Sequence, residues 1–418
     1  MNDMKFGRQT ISLEEAQRRV LQHVRLQETE EVPLFEAYGR RLAENVCAGS
    51  PLPHFRRSGV DGYALRASDT AGASLAAAVC LEVVETVPCG SVPVKTIGPG
   101  QAAKIMTGAA VPEGADAVVM LEMTDAVHQE IGLGGTVAVR KAMNPGDNVT
   151  PVGEEAAAGE QLLQKGCIVG PGETAVLAAF GHSLVKVYKR PRVAIFSTGS
   201  ELLPVDAPLE PGKIRGSNGY MLACQVQQAG GVPLLMPFLP DEADRVEREL
   251  LAAVEQADLW ITTGGVSVGD KDVLAELFGR WDGELLFNKI AMRPGSPTSV
   301  GLWRDKPLFA LSGNPGACYV GFELLVRPYL RASQEAPDPL PSAATAILDA
   351  DYDKGSAYPR YIRGASRVEH GTIRVRPAGR DKSSIMVSMK ETDCLICLPA
   401  GGRGARRGEL VRVLKIGN

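Results

Sequence analysis

Apolar residues in the N-terminal stretch "SLEEAQRRVLQHV" recur with helical spacing at Leu13, Ala16, Val20 and Val24, and Ser12 followed by Glu15 makes a capping-box start. An N-terminal helix is predicted. Prolines and glycines in "PLPHFRRSGVDGYAL" then break the pattern. From Leu75 to Pro151 the runs "AAVCLEVVETV", "QAAKIMTG", "ADAVVMLE" and "GTVAVRKA" read as short strands of a β-rich domain. From about Arg190 the apolar runs "RVAIFSTG", "VPLLMPFLPD" and "DLWITTGG" alternate with the helix-like "SNGYMLACQVQQAGG" and "EADRVERELLAAVEQA". Such alternation is the signature of βαβ units on a mostly parallel sheet. Past the Pro-rich "ASQEAPDPLPSAA", which reads as a linker, "TIRVRPAG", "CLICLPAG" and "ELVRVLKIG" are strand-like again. The expected fold is α/β and multidomain. An N-terminal helical and linker domain is expected at 8–52 and 152–189, a β-rich insert at 53–151, a doubly wound domain at 190–331 and a C-terminal β domain at 332–418.

Composition narrows the class. A chain of 418 residues exceeds a single small core, and 44% hydrophobic with 22% charged residues is an ordinary globular balance. A net charge of −4 gives no electrostatic case for nucleic acid. No apolar window reaches the roughly 20 residues that cross a bilayer, and "MNDMKFGRQTISLEEAQRRV" lacks the apolar centre of a signal peptide. The expectation is a cytoplasmic protein that engages neither nucleic acid nor membrane. Eight scattered cysteines form no disulfide framework; the one close pair, Cys394 and Cys397, has metal-site spacing but lies in a strand-like run, where core thiols are the better reading.

Candidate chemistry follows the strand ends, because open α/β sheets bind ligands beyond the carboxyl ends of their strands. Four such ends stand out: "FSTGSE", "FLPDE", "TTGGVSVGDKD" and "ALSGNPG". Gly264, Gly265 and Ser267 in the third, with Ser312, Gly313, Asn314 and Pro315 in the fourth, precede helix-like segments, where successive backbone N–H groups suit a phosphate. Tight turns are the competing explanation for the glycines. Glu201, Asp241 and Asp272 also fall at strand ends, where capping or a solvated loop is the alternative. Gathered beside a phosphate they would repel it unless Mg²⁺ lay between, since that ion takes few carboxylates plus phosphate oxygens. Lys289 and Arg293 in "LFNKIAMRPGSP" could hold a second anion, or be solvated residues on a strand edge. The five histidines offer no Ser-His-Asp or Cys-His arrangement, so covalent nucleophilic catalysis has no support.

The motifs "SGVDGYAL", "IMTGAAVPEGADAVV", "FSTGSEL", "TTGGVSVGDKDV", "MRPGSP" and "LSGNPGA", in this order, resemble those of the molybdopterin molybdenumtransferases, MoeA-type enzymes related to the E domain of gephyrin. The resemblance runs over nearly the whole chain. It implies a doubly wound domain similar to the pterin-adenylylating enzymes and a β-barrel-like C-terminal domain. The implied reaction cleaves adenylylated molybdopterin in the presence of molybdate and Mg²⁺, giving molybdenum cofactor and AMP. A homodimer is implied too, with docking of the adenylylating enzyme and of apo-molybdoenzymes as further possible partners. Motif by motif, Asp61 and Thr107 belong to the β domain's contribution, Glu201, Asp241 and Asp272 to the nucleotide and metal side, and Lys289, Arg293, Arg363 and Ser383 to molybdate.

The chain departs from the family pattern at several positions. Arg56 and Arg57 stand where an acid and Asn are usual, Val60 replaces Met, Thr150 replaces Arg, and Glu155 replaces Asp. Ser200 replaces the Asp of TGDE, Arg293 a common Lys, and Ser312 a frequent Pro. Exchange of Lys for Arg keeps the charge and alters donor geometry. Alternatives are therefore a paralogue using tungstate, a molybdopterin adenylyltransferase, and a non-catalytic scaffold of the same fold.

Overall fold

The computed structural model describes residues 9–127, 131–239, 243–253, 255–265 and 283–417. Contacts divide the chain into two compact units, one comprising Met1–Glu44, Lys165–Thr174 and Ser183–Asn418, the other Asn45–Gln164 and Ala175–His182.

In the first unit the predicted N-terminal helix spans Leu13–Gln22 and buries Leu13, Ala16 and Val20, the residues that its apolar spacing picks out. Ser12 Oγ accepts the Glu15 N–H at 3.1 Å. Only that half of the capping box forms, because the Glu15 carboxylate accepts from Arg18 and Arg19 instead, each at 2.7 Å. A short ladder pairs Thr29–Pro33 antiparallel with Leu184–Tyr188.

A six-stranded mixed sheet follows, in the order Val232–Leu235, Arg192–Ser197, Leu259–Thr263, Lys306–Leu311, Ser299–Trp303 and Glu284–Phe287. The first four strands are parallel, as the βαβ alternation predicts. The last two strands add to it antiparallel. Leu259–Thr263 is buried at every position and Arg192–Ser197 at every position but the first. Strands covered on both faces read as continuous apolar runs for this reason. Beyond the sheet, Pro315–Gly321 continues through a π-helical turn at Phe322–Val326 into Arg327–Ala332. Glu323 and Arg327, each 1% exposed, pair at 2.6 Å inside this helix. The expected linker begins as packed structure: Ser333 and Gln334 are buried, and Glu335 pairs with Lys165 at 2.6 Å.

The C-terminal strands close into a five-stranded barrel in the order Ala343–Leu348, Thr372–Pro377, Arg360–Glu369, Cys394–Leu398 and Leu410–Lys415. The strand reading of the cysteine pair holds. Cys394 is buried, and burial pushes its thiol far up and that of Cys397 up to about 11, which leaves both as inert protonated thiols.

The second unit carries a five-stranded sheet in the order Ala117–Met120, Gly62–Leu65, Gln101–Ile105, Val79–Val87 and Thr136–Val139. The four strands read from the sequence are present. The strand Gly62–Leu65, set between two of them, is not apparent from a stretch that Pro and Gly interrupt. Glycine opens it for a packing reason: a Cβ on Gly62 would lie 1.8 Å from the Val119 carbonyl oxygen.

Candidate active site

Three neighbouring parallel strands of the first unit, Arg192–Ser197, Leu259–Thr263 and Lys306–Leu311, end on the same side of the sheet. From Arg192–Ser197 the chain runs to one side, to Val232–Leu235, and returns on the other, to Leu259–Thr263. The crevice at such a reversal is where doubly wound sheets bind ligands. A cleft of about 870 Å³ lies there, lined among others by Thr198, Glu201, Asn218, Gly264, Gly265, Ser312, Gly313, Asn314 and Pro315.

The glycines act chiefly by letting these strand ends close up. Gly264 has φ +98°, and a Cβ there would meet Thr198 Oγ1 at 2.5 Å and the Thr198 carbonyl oxygen at 2.6 Å. Its N–H is already donated to the Leu311 carbonyl at 3.2 Å. A Cβ on Gly313 would in turn lie 3.2 Å from Gly264 Cα. At Gly264 the tight-turn explanation therefore outweighs the phosphate-donor one. Asn218, at the start of the helix Asn218–Gln228, fastens the arrangement by donating from Nδ2 to Thr263 Oγ1 and to the Gly313 carbonyl, each at 2.9 Å.

A second cleft, of about 560 Å³, shares Pro297, Ser312 and Asn314 with the first. Arg293, Arg360, Asp381 and Ser383 line its walls. Of the residues that the sequence suggests for an oxyanion, Arg293 and Ser383 thus meet in one cleft. Lys289 is half-buried and outside the lining of both, with its carbonyl accepting from Ile11 N–H at 3.2 Å. Arg363 is 4% exposed and donates to the Ile385 carbonyl at 2.6 Å and the Lys382 carbonyl at 3.0 Å. It braces the loop that carries Ser383, and Gly316 N–H, next to the Arg363 guanidinium, bonds the Ser383 carbonyl of the same loop at 2.7 Å. Arg360, Asp381 and Asn218 are absent from the sequence reading because nothing local marks them. Arg360 and Asp381 reach the cleft only through the docking of barrel segments on the doubly wound domain.

The metal side is less complete. Asp241, Ser267 and Asp272 lie outside the described residues. Glu201, exposed, is the one of the three suggested acids whose place is described, and among the described residues no group of three or more His, Cys, Asp or Glu side chains converges. Glu201 lines the larger cleft, and one carboxylate there fits the sparse carboxylate set that Mg²⁺ uses.

In the second unit Asp61 and Thr107 are adjacent and exposed. Asp61 Oδ1 accepts the Thr107 N–H at 2.7 Å and its hydroxyl at 3.0 Å, and these bonds hold the carboxyl below the usual range. Three of the positions noted in the sequence lie together in the second unit. Arg57 and Thr150 are register partners, and Arg57 donates to Glu155 Oε1 at 2.5 Å. An arginine thus stands directly across the ladder from position 150. Arg56 ties its strand to the Ala115 carbonyl at 2.9 Å.

A doubly wound domain with a cleft at its reversal point and an adjoining, arginine-lined cleft, joined to a closed β-barrel, defines the class as a multidomain α/β protein with a ligand site at its strand ends. Family models agree along the chain: the MoeA N-terminal region (domain I and II) matches residues 11–181, a probable molybdopterin binding domain residues 194–332, and the MoeA C-terminal region (domain IV) residues 345–416. A Bacillus subtilis (strain 168) protein named molybdopterin molybdenumtransferase is 44% identical over 409 residues, covering 98% of this chain and 95% of the relative. A Staphylococcus aureus (strain MRSA252) protein of the same name is 39% identical over 407 residues, covering 97% and 96%. The solved structure of the molybdopterin biosynthesis MoeA protein from Pyrococcus horikoshii OT3 superposes with a TM-score of 0.83 at 32% identity, over 98% of this chain and all of that one. The chain belongs to the molybdopterin molybdenumtransferase family, enzymes of molybdenum cofactor biosynthesis.

Proposed function

We propose that the protein transfers molybdenum from molybdate to adenylylated molybdopterin, forming molybdenum cofactor and releasing AMP. The observation that carries this reading is the pair of clefts sharing a wall at Pro297, Ser312 and Asn314. The larger is sized for a pterin nucleotide, and the smaller is lined by arginine. Two anionic reactants held side by side are what such a transfer requires, because most of its acceleration can come from positioning and electrostatics.

In this reading Arg293 and Ser383 take the tetrahedral oxyanion, with Arg363 fixing the loop beneath Ser383. Ser312 and Asn314 form the wall that both reactants touch. Glu201, together with Asp241 and Asp272, would hold Mg²⁺, which when bound supplies polarisation of the adenylyl phosphate and neutralises charge on departing AMP. Asp61 and Thr107 are assigned to the same reaction by the resemblance, within a homodimer. Cytoplasmic assembly suits a cofactor that is handed on to apo-enzymes, and no helix among the described residues is long and apolar enough to cross a membrane.

The test is at the oxyanion cleft. Arg293→Gln should lose molybdate-dependent cofactor formation while AMP still binds, because the nucleotide occupies the other cleft. Full activity in Arg293→Gln would remove the cleft from the reaction.

A further inference from the structure

The smaller cleft holds a second arginine that the reading above leaves without a role. Arg360 begins the barrel strand Arg360–Glu369, and an isolated parallel bridge sets it directly beside Arg293. Two backbone bonds fix that register: Arg293 N–H to the Pro359 carbonyl at 2.9 Å and Tyr361 N–H to the Arg293 carbonyl at 2.8 Å. Residues opposite one another across such a bridge project to the same face. Both guanidinium groups accordingly line one cleft.

The surroundings of Arg360 orient it without consuming it. Its Nη2 donates to the Gly355 carbonyl at 3.2 Å, and its Nη1 stands 3.6 Å from the Asp381 carboxylate, an ion pair longer than a hydrogen bond. Asp381 is itself held by the Tyr352 hydroxyl, whose ring the Arg360 guanidinium approaches to 5.9 Å. A guanidinium has five N–H donors in a planar fork; Nε is buried and one Nη2 N–H goes to Gly355, which still leaves N–H groups at the tip of Arg360 for a ligand. With Asp381 present, the two arginines leave the cleft one net positive charge, enough to favour an anion.

Resting on the proposed function, we infer that Arg360 is a further specificity-determining residue of this site: with Arg293 it clamps the free tetrahedral oxyanion, and Asp381 positions it. A phosphate ester offers similar chemistry, so the rival source of the anion is the phosphate of the nucleotide.

The experiment measures equilibrium binding of molybdate alone and of AMP alone to the wild-type protein, Arg293→Gln, Arg360→Gln and Arg360→Lys, with thermal melting as a check on folding. Arg360→Gln should weaken molybdate at least tenfold and leave AMP unchanged. Arg360→Lys keeps the charge but not the fork, so it should fall between, and it serves if the glutamine variant does not fold. Loss of AMP with molybdate unchanged would reassign Arg360 to the nucleotide phosphate and overturn the inference. Arg293→Gln losing molybdate while both Arg360 variants match the wild type would overturn it too, leaving the proposed function standing. A folded wild-type protein that binds no molybdate would contradict both.

Discussion

Replacing Gly264 by Ala tests whether the strand ends are closed as tightly as the geometry states. The new Cβ would lie 2.5 Å from Thr198 Oγ1 and 2.6 Å from the Thr198 carbonyl oxygen, at a φ of +98°. The hydroxyl could rotate away, but the carbonyl belongs to the residue that extends Arg192–Ser197 and is tied by its N–H to the Thr263 carbonyl at 3.0 Å, so it resists displacement. Backbone strain at such a φ costs about 1–3 kcal/mol, and overpacking that cannot relax costs about 1–3 kcal/mol more. The sum, about 2–6 kcal/mol, is a large part of the roughly 5–15 kcal/mol that holds a typical domain folded. Gly39→Ala is the control, since Gly39 has φ +73° with nothing within 4 Å of the added atom, so only the strain of about 1–2 kcal/mol applies. Urea unfolding of both variants separates the two contributions. Cofactor-forming activity of Gly264→Ala should fall about a hundredfold, the usual scale for a 1 Å displacement of a site. A Gly264→Ala protein no less stable than Gly39→Ala, with full activity, would refute the close-approach argument.

Two further outcomes concern the second unit. The Asp61 carboxyl should titrate below the ordinary carboxylate range, and Thr107→Val, which removes the 3.0 Å hydroxyl bond but keeps the 2.7 Å N–H bond, should restore only part of the shift, as read by NMR titration. Because the folded-state value is depressed, its stabilising effect is complete above the ordinary carboxylate pKa and vanishes as pH falls through the lowered one; an unshifted midpoint would contradict this. Where Arg57 faces Thr150, Thr150→Arg should destabilise by about 0.2–1 kcal/mol by opposing Arg57 across the ladder, and the double change Arg57→Asn with Thr150→Arg should recover the loss. Additive effects in a double-mutant cycle would show the two positions to be independent.

The parallel core of the sheet was legible because its strands are buried on both faces, and the N-terminal helix because its apolar face is narrow and capped. Gly62–Leu65 was hidden, since the reason for glycine there is the Val119 carbonyl on a neighbouring strand, a contact between distant parts of the sequence. The same limit applies at the site. Strand-end residues such as Glu201, Ser312 and Asn314 were accessible through the general rule for open sheets, and they line the clefts. Arg360 depends on a bridge to Arg293 between residues far apart in the chain, and the bonds from Arg363 to the Lys382 and Ile385 carbonyls likewise join residues that no local motif connects. Departures judged one at a time hide a local relation: Arg57 pairs with Glu155 and faces Thr150 across the ladder.

The central claim is tested most directly by AMP release from adenylylated molybdopterin, with the purified wild-type protein and Mg²⁺, in the absence of oxyanion, with molybdate and with tungstate. The account predicts release that depends on molybdate and is accompanied by a product able to activate an apo-molybdoenzyme. A folded protein that releases no AMP with any oxyanion would contradict it.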